Sequence, residues 1–233
     1  MKKKLKQIII CISDPVFLTR IRLRSSIKEI ISPLIFSGAK CLDVGCGDRP
    51  YEDLFKNGNY IGIDVEDSGR QKELKKPDVF YNGKTIPFDN NSFDIVFSSQ
   101  VFEHLSNPSM VLSEMTRVVK TGGSIIISLP FVYPEHEVPY DYYRFTSYGV
   151  IDILVQSGLK VKTIKKDTSA LETIAILVNV YITNNLMPKI KGIGYLYAIL
   201  VCFPIQLISI LLSKIFPDNG VLYLNIVAHA KKQ

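Results

Sequence analysis

Residues 40–50 read KCLDVGCGDRP, and the pattern within this stretch sets the architecture expected around it. Its first half is apolar enough for a short buried strand, and Gly45 and Gly47 follow that strand at once. Two glycines one residue apart give the backbone dihedral angles that are closed to other residues, and they let a ligand approach closely. A dinucleotide-binding turn has a third glycine for the pyrophosphate, where this chain has Arg49 and Pro50. The stretch therefore predicts a strand and a binding turn, without a pyrophosphate site.

Strand-like and helix-like segments alternate through the chain from residue 39 onward. The predicted strands are 40–44, 60–65, 78–82, 92–99, 124–130, 159–166 and 221–232, and the predicted helices are 51–58, 107–122, 147–158 and an N-terminal helix from Asp14 to near Phe36. Asn107 is the expected N-cap of its helix, and Gly122 is its expected end. This alternation predicts an α/β fold with a doubly wound sheet.

The composition indicates a globular, cytoplasmic protein. The chain of 233 residues suits one domain with an extension, and its formal charge of +6 comes from scattered lysines and a cluster at Lys2, Lys3, Lys4 and Lys6. No basic stripe with interleaved aromatic residues is present, so nucleic acid is not an indicated partner. The four cysteines form no CxxC pair or Cys/His cluster, and we expect no metal site. The apolar run before Ser13 is too short for a signal peptide, so we expect an uncleaved start.

Asp64 ends the second predicted strand, 19 positions after Gly45. At this spacing a carboxylate can accept both hydroxyls of a ribose, at the sheet edge where doubly wound proteins bind their ligands. Together with the missing third glycine, Asp64 predicts a nucleoside ligand that carries no phosphate.

Four ordered motifs carry a family resemblance: LDVGCGD at 42–48, YIGIDV at 60–65, IPFDNNSFDIVFSSQVFEHL at 86–105 and EMTRVVKTGGSIIISLP at 114–130. With these motifs the chain resembles class I S-adenosylmethionine-dependent methyltransferases, in the large group that includes quinone and glycan methyltransferases. The resemblance implies a Rossmann-like, mostly parallel seven-stranded sheet with an antiparallel last strand. It also implies S-adenosyl-L-methionine as the cofactor.

The resemblance assigns a set of cofactor-binding residues. The glycine turn would line the methionine part, Asp64 would bind the ribose, and Asn82 with Gly83 would face the adenine. The full set is Asp43, Gly45, Cys46, Gly47, Asp64, Val65, Asn82, Gly83, Ser99 and Gln100, of which the last two would pass beside the sulfonium. Two positions depart from the family pattern. Asn82 stands where an aspartate usually accepts the adenine amino group, which removes the charge assistance of that bond, and Arg49 replaces a glycine or small residue.

Histidine is the candidate base, because methyl transfer to a hydroxyl benefits from a group with a pKa near neutrality. His104 follows the fourth predicted strand and His136 the fifth, so both belong to the ligand edge of the sheet. We expect His136 to be the base. His104 is either a second catalytic candidate or a helix-start feature that organises the pocket, and His229, within the last strand, is expected to be structural.

The loop around His136 reads PFVYPEHEVPYDYYRFT, and its aromatic and polar side chains suit a sugar or another polar acceptor. Its HE.P.DYYRFT block resembles one found in methyltransferases of polysaccharide gene clusters. Asp141 and Arg144 of this block are further candidates for the catalytic site. The alternative is a loop made rigid by its prolines and by an Asp141–Arg144 ion pair.

An apolar insertion at 168–217 separates the last two predicted strands, which form an antiparallel hairpin in this family. Because both ends of the insertion return to one sheet, a single membrane span is excluded. Three alternatives remain: a helical hairpin that enters the membrane, helices that lie in its interface, or a lid over an apolar acceptor such as a polyprenyl chain. The predicted domains are an N-terminal helical extension at 1–37, a methyltransferase domain at 38–167 and 218–233, and this insertion.

The combined expectation is a methyltransferase that modifies a hydroxyl of a glycan or a lipid-linked sugar, in the cytoplasm at the inner face of the membrane. One alternative is carbon methylation of a prenylated quinone or another lipid, which would also explain the apolar insertion. Another is a protein that keeps the cofactor pocket but serves as an assembly partner in a membrane complex.

Overall fold

The computed structural model describes residues 13–68, 71–188 and 190–233, without the side chain of residue 191. The lysine cluster at 2–6 and the apolar run before Ser13 lie outside these residues. The chain forms two compact units. The sheet unit comprises Ser25–Lys165 and Asn225–Gln233, and the helical unit comprises the residues up to Arg24 together with Lys166–Leu224.

The sheet has seven strands, as the sequence predicts. They are β1 (Lys40–Val44), β2 (Asn59–Val65), β3 (Val79–Tyr81), β4 (Phe93–Ser99), β5 (Val119–Pro130), β6 (Leu159–Lys166) and β7 (Asn225–Lys232). Their order across the sheet is β3-β2-β1-β4-β5-β7-β6. β1 to β5 pair in parallel and β7 pairs antiparallel to β5, which confirms the doubly wound class and the antiparallel last strand.

The central strands carry the core of the sheet unit. Leu42 on β1, Val96 on β4 and Ile126 on β5 are fully buried. A parallel strand covered on both faces excludes water from both rows of side chains, which is why these segments are hydrophobic without alternation. In register, Asp43 lies beside Gly62 of β2 and Phe97 of β4. The carboxyl ends of β1, β2 and β4 therefore lie at one edge of the sheet.

The helices differ from the prediction mainly at their ends. α1 (Phe17–Ile31) ends five residues before Phe36, because Pro33 disfavours helical backbone at the residue before it. Residues 51–58 form only a 3₁₀ turn at Glu52–Phe55, which closes when the Gly58 amide donates to the Phe55 carbonyl at 2.8 Å. The chain enters β2 at the next residue, so a full α-helix has no room.

The helix between β4 and β5 begins where the sequence predicts and ends earlier. α2 (Pro108–Val118) is capped by Asn107, whose Oδ1 accepts the Met110 amide at 3.1 Å. The predicted end at Gly122 is wrong, because Val119 already pairs with Phe93 in the sheet. α3 (Ser147–Gln156) is capped by the Thr146 hydroxyl.

The helical unit contains the apolar insertion. Its elements are α4 (Ala170–Asn185), α5 (Lys191–Tyr197), a π-helical turn (Ala198–Cys202) and α6 (Phe203–Leu212). α4 begins with a reciprocal cap in which the Ser169 hydroxyl accepts the Glu172 amide and the Glu172 carboxylate accepts the Ser169 amide. The last predicted strand begins at Asn225 rather than at residue 221.

Two polar side chains inside the insertion satisfy backbone groups of the helical unit. Gln206 is fully buried: its Oε1 accepts the Leu18 amide at 3.0 Å, and its Nε2 donates to the Pro15 carbonyl at 2.9 Å. Asn179 donates to the carbonyls of Pro15 and Cys202. A π turn shifts the backbone ladder and leaves carbonyls such as that of Cys202 open to side-chain donors. These polar residues therefore stabilise the packing of an otherwise apolar segment.

Candidate cofactor and acceptor site

The glycine turn after β1 passes close to the end of β4. Gly45 and Gly47 have φ angles of 78° and 53°, in the left-handed region that favours glycine. A Cβ atom on Gly45 would lie 2.4 Å from Cγ2 of Val101, which is far inside van der Waals contact. The amide of Gly45 donates to the Ile63 carbonyl of β2 at 2.8 Å. The turn is thus held between two strand ends, and only glycine fits at its first position.

Asp64 lies directly against this turn. Its Oδ2 accepts the Gly47 amide at 2.8 Å, and its Oδ1 accepts the Val65 amide at 2.7 Å. Lys75 approaches the same carboxylate, with Nζ 3.3 Å from Oδ1, and also donates to the Val65 carbonyl at 2.6 Å. The lysine side chain is almost fully buried. The sequence carries no motif that would have indicated Lys75.

These residues fit a nucleoside with a methionine tail. Gly45 and Gly47 place no Cβ atom in the turn between the ends of β1 and β4, and the carboxylate that ends β2 borders it. A carboxylate offers about four acceptor positions, of which the Gly47 and Val65 amides use two. The remaining positions, one of them shared with Lys75, are available for ribose hydroxyls. We therefore infer that Asp64 would hold the ribose of S-adenosylmethionine, as the spacing predicts.

Arg49 stabilises the turn from the side. Its guanidinium pairs with the Asp78 carboxylate and lies 5.1 Å from the centre of the Tyr60 ring. The other function of Asp78 is to accept the Gly62 amide at 2.8 Å. Arg49 has a φ of 63°, in the left-handed region that favours glycine. The ion pair and the ring contact therefore hold the residue in a backbone conformation that is unfavourable for arginine.

Asp43 and Cys46 are buried beside the glycine turn. Asp43 is 2% exposed, and its Oδ2 accepts the Tyr60 hydroxyl at 2.6 Å. Burial raises the pKa of Asp43 to about 7, despite this hydrogen bond. Cys46 is buried against Gly62, and burial raises the pKa of its thiol to about 12.

Asn82 closes a loop turn after β3. Its Oδ1 accepts the amides of Lys84 and Thr85, both at 2.9 Å. The oxygen that was expected to accept the adenine amino group is therefore engaged by the backbone, which leaves the amide nitrogen as a donor for an adenine ring nitrogen. Gly83 has a φ of 73°, and a Cβ there would approach Val65 at 3.2 Å.

Ser99 and Gln100 continue β4 into the turn at Val101. The hydroxyls of Ser99 and Ser128 lie 2.7 Å apart, and Gln100 donates from Nε2 to Ser128 at 3.3 Å. Gln100 has a φ of 55°. A positive φ at a residue other than glycine redirects the chain sharply, so the backbone leaves the sheet where the sulfonium is expected.

The structure brings His104 and His136 together on the acceptor side. Their ring centres are 4.8 Å apart and the rings are nearly perpendicular. Nδ1 of His104 lies 2.7 Å from the Tyr140 carbonyl, and Nδ1 of His136 lies 3.2 Å from the Pro134 carbonyl. A carbonyl only accepts, so each Nδ1 carries the proton and each Nε2 has the free electron pair.

Asp141 and Arg144 form the ion pair that was expected if the loop after β5 is made rigid by its prolines and by this pair. Arg144 donates two hydrogen bonds to the Asp141 carboxylate, at 2.6 and 2.7 Å, and two more to the carbonyls of Tyr133 and Pro134. These hydrogen bonds hold the pKa of Asp141 well below its usual range. Asp141 also accepts the His136 amide at 2.9 Å. The pair therefore positions His136, and a catalytic role for either residue stays a prediction.

Two acidic residues near the histidines were not among the sequence candidates. The carboxylate of Glu103 is fully buried, and Oε2 of Glu137 lies 3.9 Å from Nε2 of His104. Glu103 could have been found from the motif FEHL, in which it precedes His104. His229 lies within β7, where its Nε2 is 3.1 Å from the Ser124 hydroxyl, as expected of a structural histidine.

The comparisons with known proteins bear on the family and the fold of the chain. Residues 42–127 match the family model described as a methyltransferase domain. A demethylmenaquinone methyltransferase of Bacillus cereus is 34% identical over 103 residues, which are 38% of this chain and 44% of that protein. The chain thus spans about half the length of this curated relative.

Two solved structures show the same fold. A putative methyltransferase of Bacillus halodurans has a TM-score of 0.53 at 16% identity, and covers 94% of this chain and 99% of that one. Phosphoethanolamine N-methyltransferase 2 of Haemonchus contortus, in complex with S-adenosyl-L-methionine, has a TM-score of 0.56 at 17% identity, over 90% of this chain and 52% of that one. Residues 42–127 thus match a methyltransferase domain, and the sheet around them has the fold of these solved methyltransferases.

Proposed function

We propose that the protein transfers the methyl group of S-adenosylmethionine to a hydroxyl of a glycan or a lipid-linked sugar. The observation that carries this proposal is the pair formed by His104 and His136 beyond the ends of β4 and β5. Each ring donates from Nδ1 to a backbone carbonyl, and each therefore presents a basic Nε2. A hydroxyl nucleophile needs such a base, since its proton must leave as the new bond forms.

Different residues bind the cofactor and accept the proton of the acceptor. When bound, the cofactor supplies an electrophilic methyl group on a sulfonium. The glycine turn and Asp64 fix its tail and ribose, and Nε2 of His136 accepts the hydroxyl proton, with Nε2 of His104 as the second candidate. Displacement proceeds in line, so the main contribution of the protein is to align the acceptor oxygen with the methyl group.

The loop after β5 supports a polar acceptor. Tyr140, Tyr142 and Tyr143 each expose 40–47% of their surface. Aromatic rings with a hydroxyl offer an apolar face for a sugar ring and a polar tip for its hydroxyls. Their backbones are fixed, because the carbonyl of Glu103 accepts the amides of Tyr142 and Tyr143 at 2.8 and 3.2 Å.

Carbon methylation of a prenylated quinone is the second candidate. The similarity to a demethylmenaquinone methyltransferase favours it, although the match covers less than half of each chain. A polyprenyl chain also suits the apolar insertion. A protein that binds the cofactor only as an assembly partner is the third possibility, and it predicts no turnover with any acceptor.

We further propose that the helical unit associates with the inner face of the membrane. Among the described residues one helical stretch, Gly192–Leu212, is long and apolar enough to cross a bilayer, with a mean hydropathy of 2.2, and little of it is buried. Exposed apolar side chains continue along α4, where Ile174 and Tyr181 are 48% and 60% exposed. A contiguous apolar surface of this kind is typical of membrane-binding helices. Replacing 168–217 by a short turn should release the protein from vesicles, and retention would assign the anchor to another segment.

The function is tested in two steps. Calorimetric titration with S-adenosylhomocysteine comes first, and absence of binding would refute both enzyme candidates. Transfer of a labelled methyl group is then measured to a lipid-linked sugar, a free oligosaccharide and a demethylated prenyl quinol. His136→Ala should lower turnover on the sugar and leave cofactor affinity within about twofold, whereas Asp64→Ala should weaken cofactor affinity more than about tenfold. Methylation of the quinol alone would replace the first candidate by the second.

A further inference from the structure

Glu103 carries a buried carboxylate without a hydrogen-bond partner. The residue is fully buried, and neither Oε1 nor Oε2 has a partner among the described residues. An isolated carboxylate in an apolar environment is unfavourable by several kcal/mol, so such a group is usually paired, protonated or bound to a metal. Burial raises the pKa of Glu103 to about 8, which reflects the same cost. The Arg144 guanidinium lowers that pKa in part, but its hydrogen bonds go to Asp141 and not to Glu103, so a further positive charge is expected beside the carboxylate.

The side chain of His104 does not supply that charge in its neutral form. Its proton is on Nδ1, which donates to the Tyr140 carbonyl at 2.7 Å. The electron pair of Nε2 then faces two carboxylates, with Oε1 of Glu103 and Oε2 of Glu137 each 3.9 Å away. Acceptor atoms of three side chains thus lie close together.

His136 is the third member of the group. One ligand atom from each of Glu103, His104 and His136 lies within 4.8 Å of the other two. The histidines also have the second interaction that metal-binding histidines almost always make, since Nδ1 of each is held by a carbonyl. The donors around a first-row divalent cation lie roughly 3 Å apart, so small rotations of the two imidazoles would close the site.

We propose that Glu103, His104 and His136 bind a divalent transition-metal cation, with Glu137 as a further ligand. Two imidazole nitrogens and one carboxylate suit Mn²⁺, Fe²⁺, Co²⁺ or Zn²⁺ better than Mg²⁺ or Ca²⁺, which prefer oxygen. Three protein ligands leave positions open for an acceptor. The role of the cation rests on the proposed function: with both histidines bound to it, the cation would bind the acceptor oxygen and lower the pKa of its hydroxyl, and a water would take the proton in place of Nε2 of His136.

The test is a titration of the full-length, chelator-treated protein with MnCl₂. Binding is measured by calorimetry and by the electron paramagnetic resonance signal of bound Mn²⁺. Wild type should bind one equivalent. Glu103→Gln and His136→Asn should each weaken that binding by about tenfold or more. Glu29→Gln is the matched control, because it removes one carboxylate from a residue 68% exposed in its side chain and should leave the affinity unchanged.

The melting temperature and the binding of S-adenosylhomocysteine distinguish a lost metal site from a misfolded protein. Mn²⁺ should raise the melting temperature of wild type and not that of Glu103→Gln, and S-adenosylhomocysteine should bind both proteins equally. If Glu103→Gln does not fold, His136→Asn decides. The metal site would be refuted if wild type bound neither Mn²⁺ nor Zn²⁺ up to about 1 mM, or if the variants bound the metal equally well. A proton shared by the Glu103 carboxylate would then be the charge that neutralises it. Metal binding without any methyl transfer would instead count against the proposed function alone.

Discussion

Substitution of Gly45 by alanine isolates the steric requirement of the cofactor turn. Two costs are expected. The first is backbone strain, since φ is 78° and a left-handed conformation costs an L-residue about 1–2 kcal/mol. The second is overlap, because the new Cβ would lie 2.4 Å from Cγ2 and 3.1 Å from Cγ1 of Val101. Overpacking of this kind costs about 1–3 kcal/mol, so the total loss should be about 2–5 kcal/mol.

Gly122 provides the control for the first cost. Its φ is 77°, and an added Cβ would have no neighbour within 4 Å. Gly122→Ala should therefore lose only the strain of about 1–2 kcal/mol. The difference between the two variants in urea unfolding measures the overlap with Val101.

A double-mutant cycle tests whether Val101 is the cause. Val101→Ala removes both Cγ atoms, so Gly45→Ala should cost about 1–3 kcal/mol less in that background than in wild type. The affinity for S-adenosylhomocysteine should fall in Gly45→Ala and recover in the double variant. A coupling energy below about 0.5 kcal/mol, or equal losses for Gly45→Ala and Gly122→Ala, would refute the reasoning.

Three further predictions concern stability. The pKa of Asp43 is about 7 in the folded state and about 4 in an unfolded chain, so the folded state holds this proton more tightly. The free energy of unfolding should therefore fall by up to about 4 kcal/mol between pH 4 and pH 7 and then level off. Asp43→Asn should remove this dependence on pH in urea unfolding, and an unchanged dependence would contradict the assignment. Ser169→Ala should cost about 1 kcal/mol, seen as a lower melting temperature, because the reciprocal cap of α4 loses its hydroxyl. Arg49→Lys should lower the free energy of unfolding by about 0.5–1 kcal/mol, because lysine keeps the charge but not the planar contact with Asp78 and the Tyr60 ring. Urea unfolding measures this loss, with Asp78→Asn for comparison. Equal stability of wild type and Arg49→Lys would show that the guanidinium is dispensable.

The sheet could be predicted because its determinants are local. A parallel strand buried on both faces is apolar throughout, and the glycine turn and Asp64 occur at a fixed spacing along the chain. Element ends were less predictable. In the sequence Gly122 resembles a helix end, because a glycine often follows the last turn of a helix. It does have a positive φ, yet it lies in the first residues of β5, where pairing of Val119 with Phe93 decides the boundary. That pairing joins residues that are far apart in sequence.

The acceptor site was predicted only in part, for the same reason. His104 and His136 were candidates as separate residues, each at the end of a strand. Their contact depends on the loop after β5 folding back, so that the amides of Tyr142 and Tyr143 reach the carbonyl of Glu103. The cluster that this contact creates has no signature in sequence spacing, and the expectation of no metal site followed from the absence of such a signature.

One short segment connects the two halves of the site. Val101 borders the glycine turn, and its carbonyl accepts the His104 amide at 2.9 Å. The 3₁₀ turn that it precedes, Phe102–His104, carries Glu103 and His104. Because in-line transfer requires the acceptor and the methyl group to approach within about 3–3.5 Å, a rigid turn between the two binding regions sets that distance directly. The unpartnered carboxylate of Glu103 destabilises this turn unless a cation or a proton is present. Under the proposed function, the cost therefore lies where a bound cation would both relieve it and activate the acceptor, in a segment that borders the glycine turn.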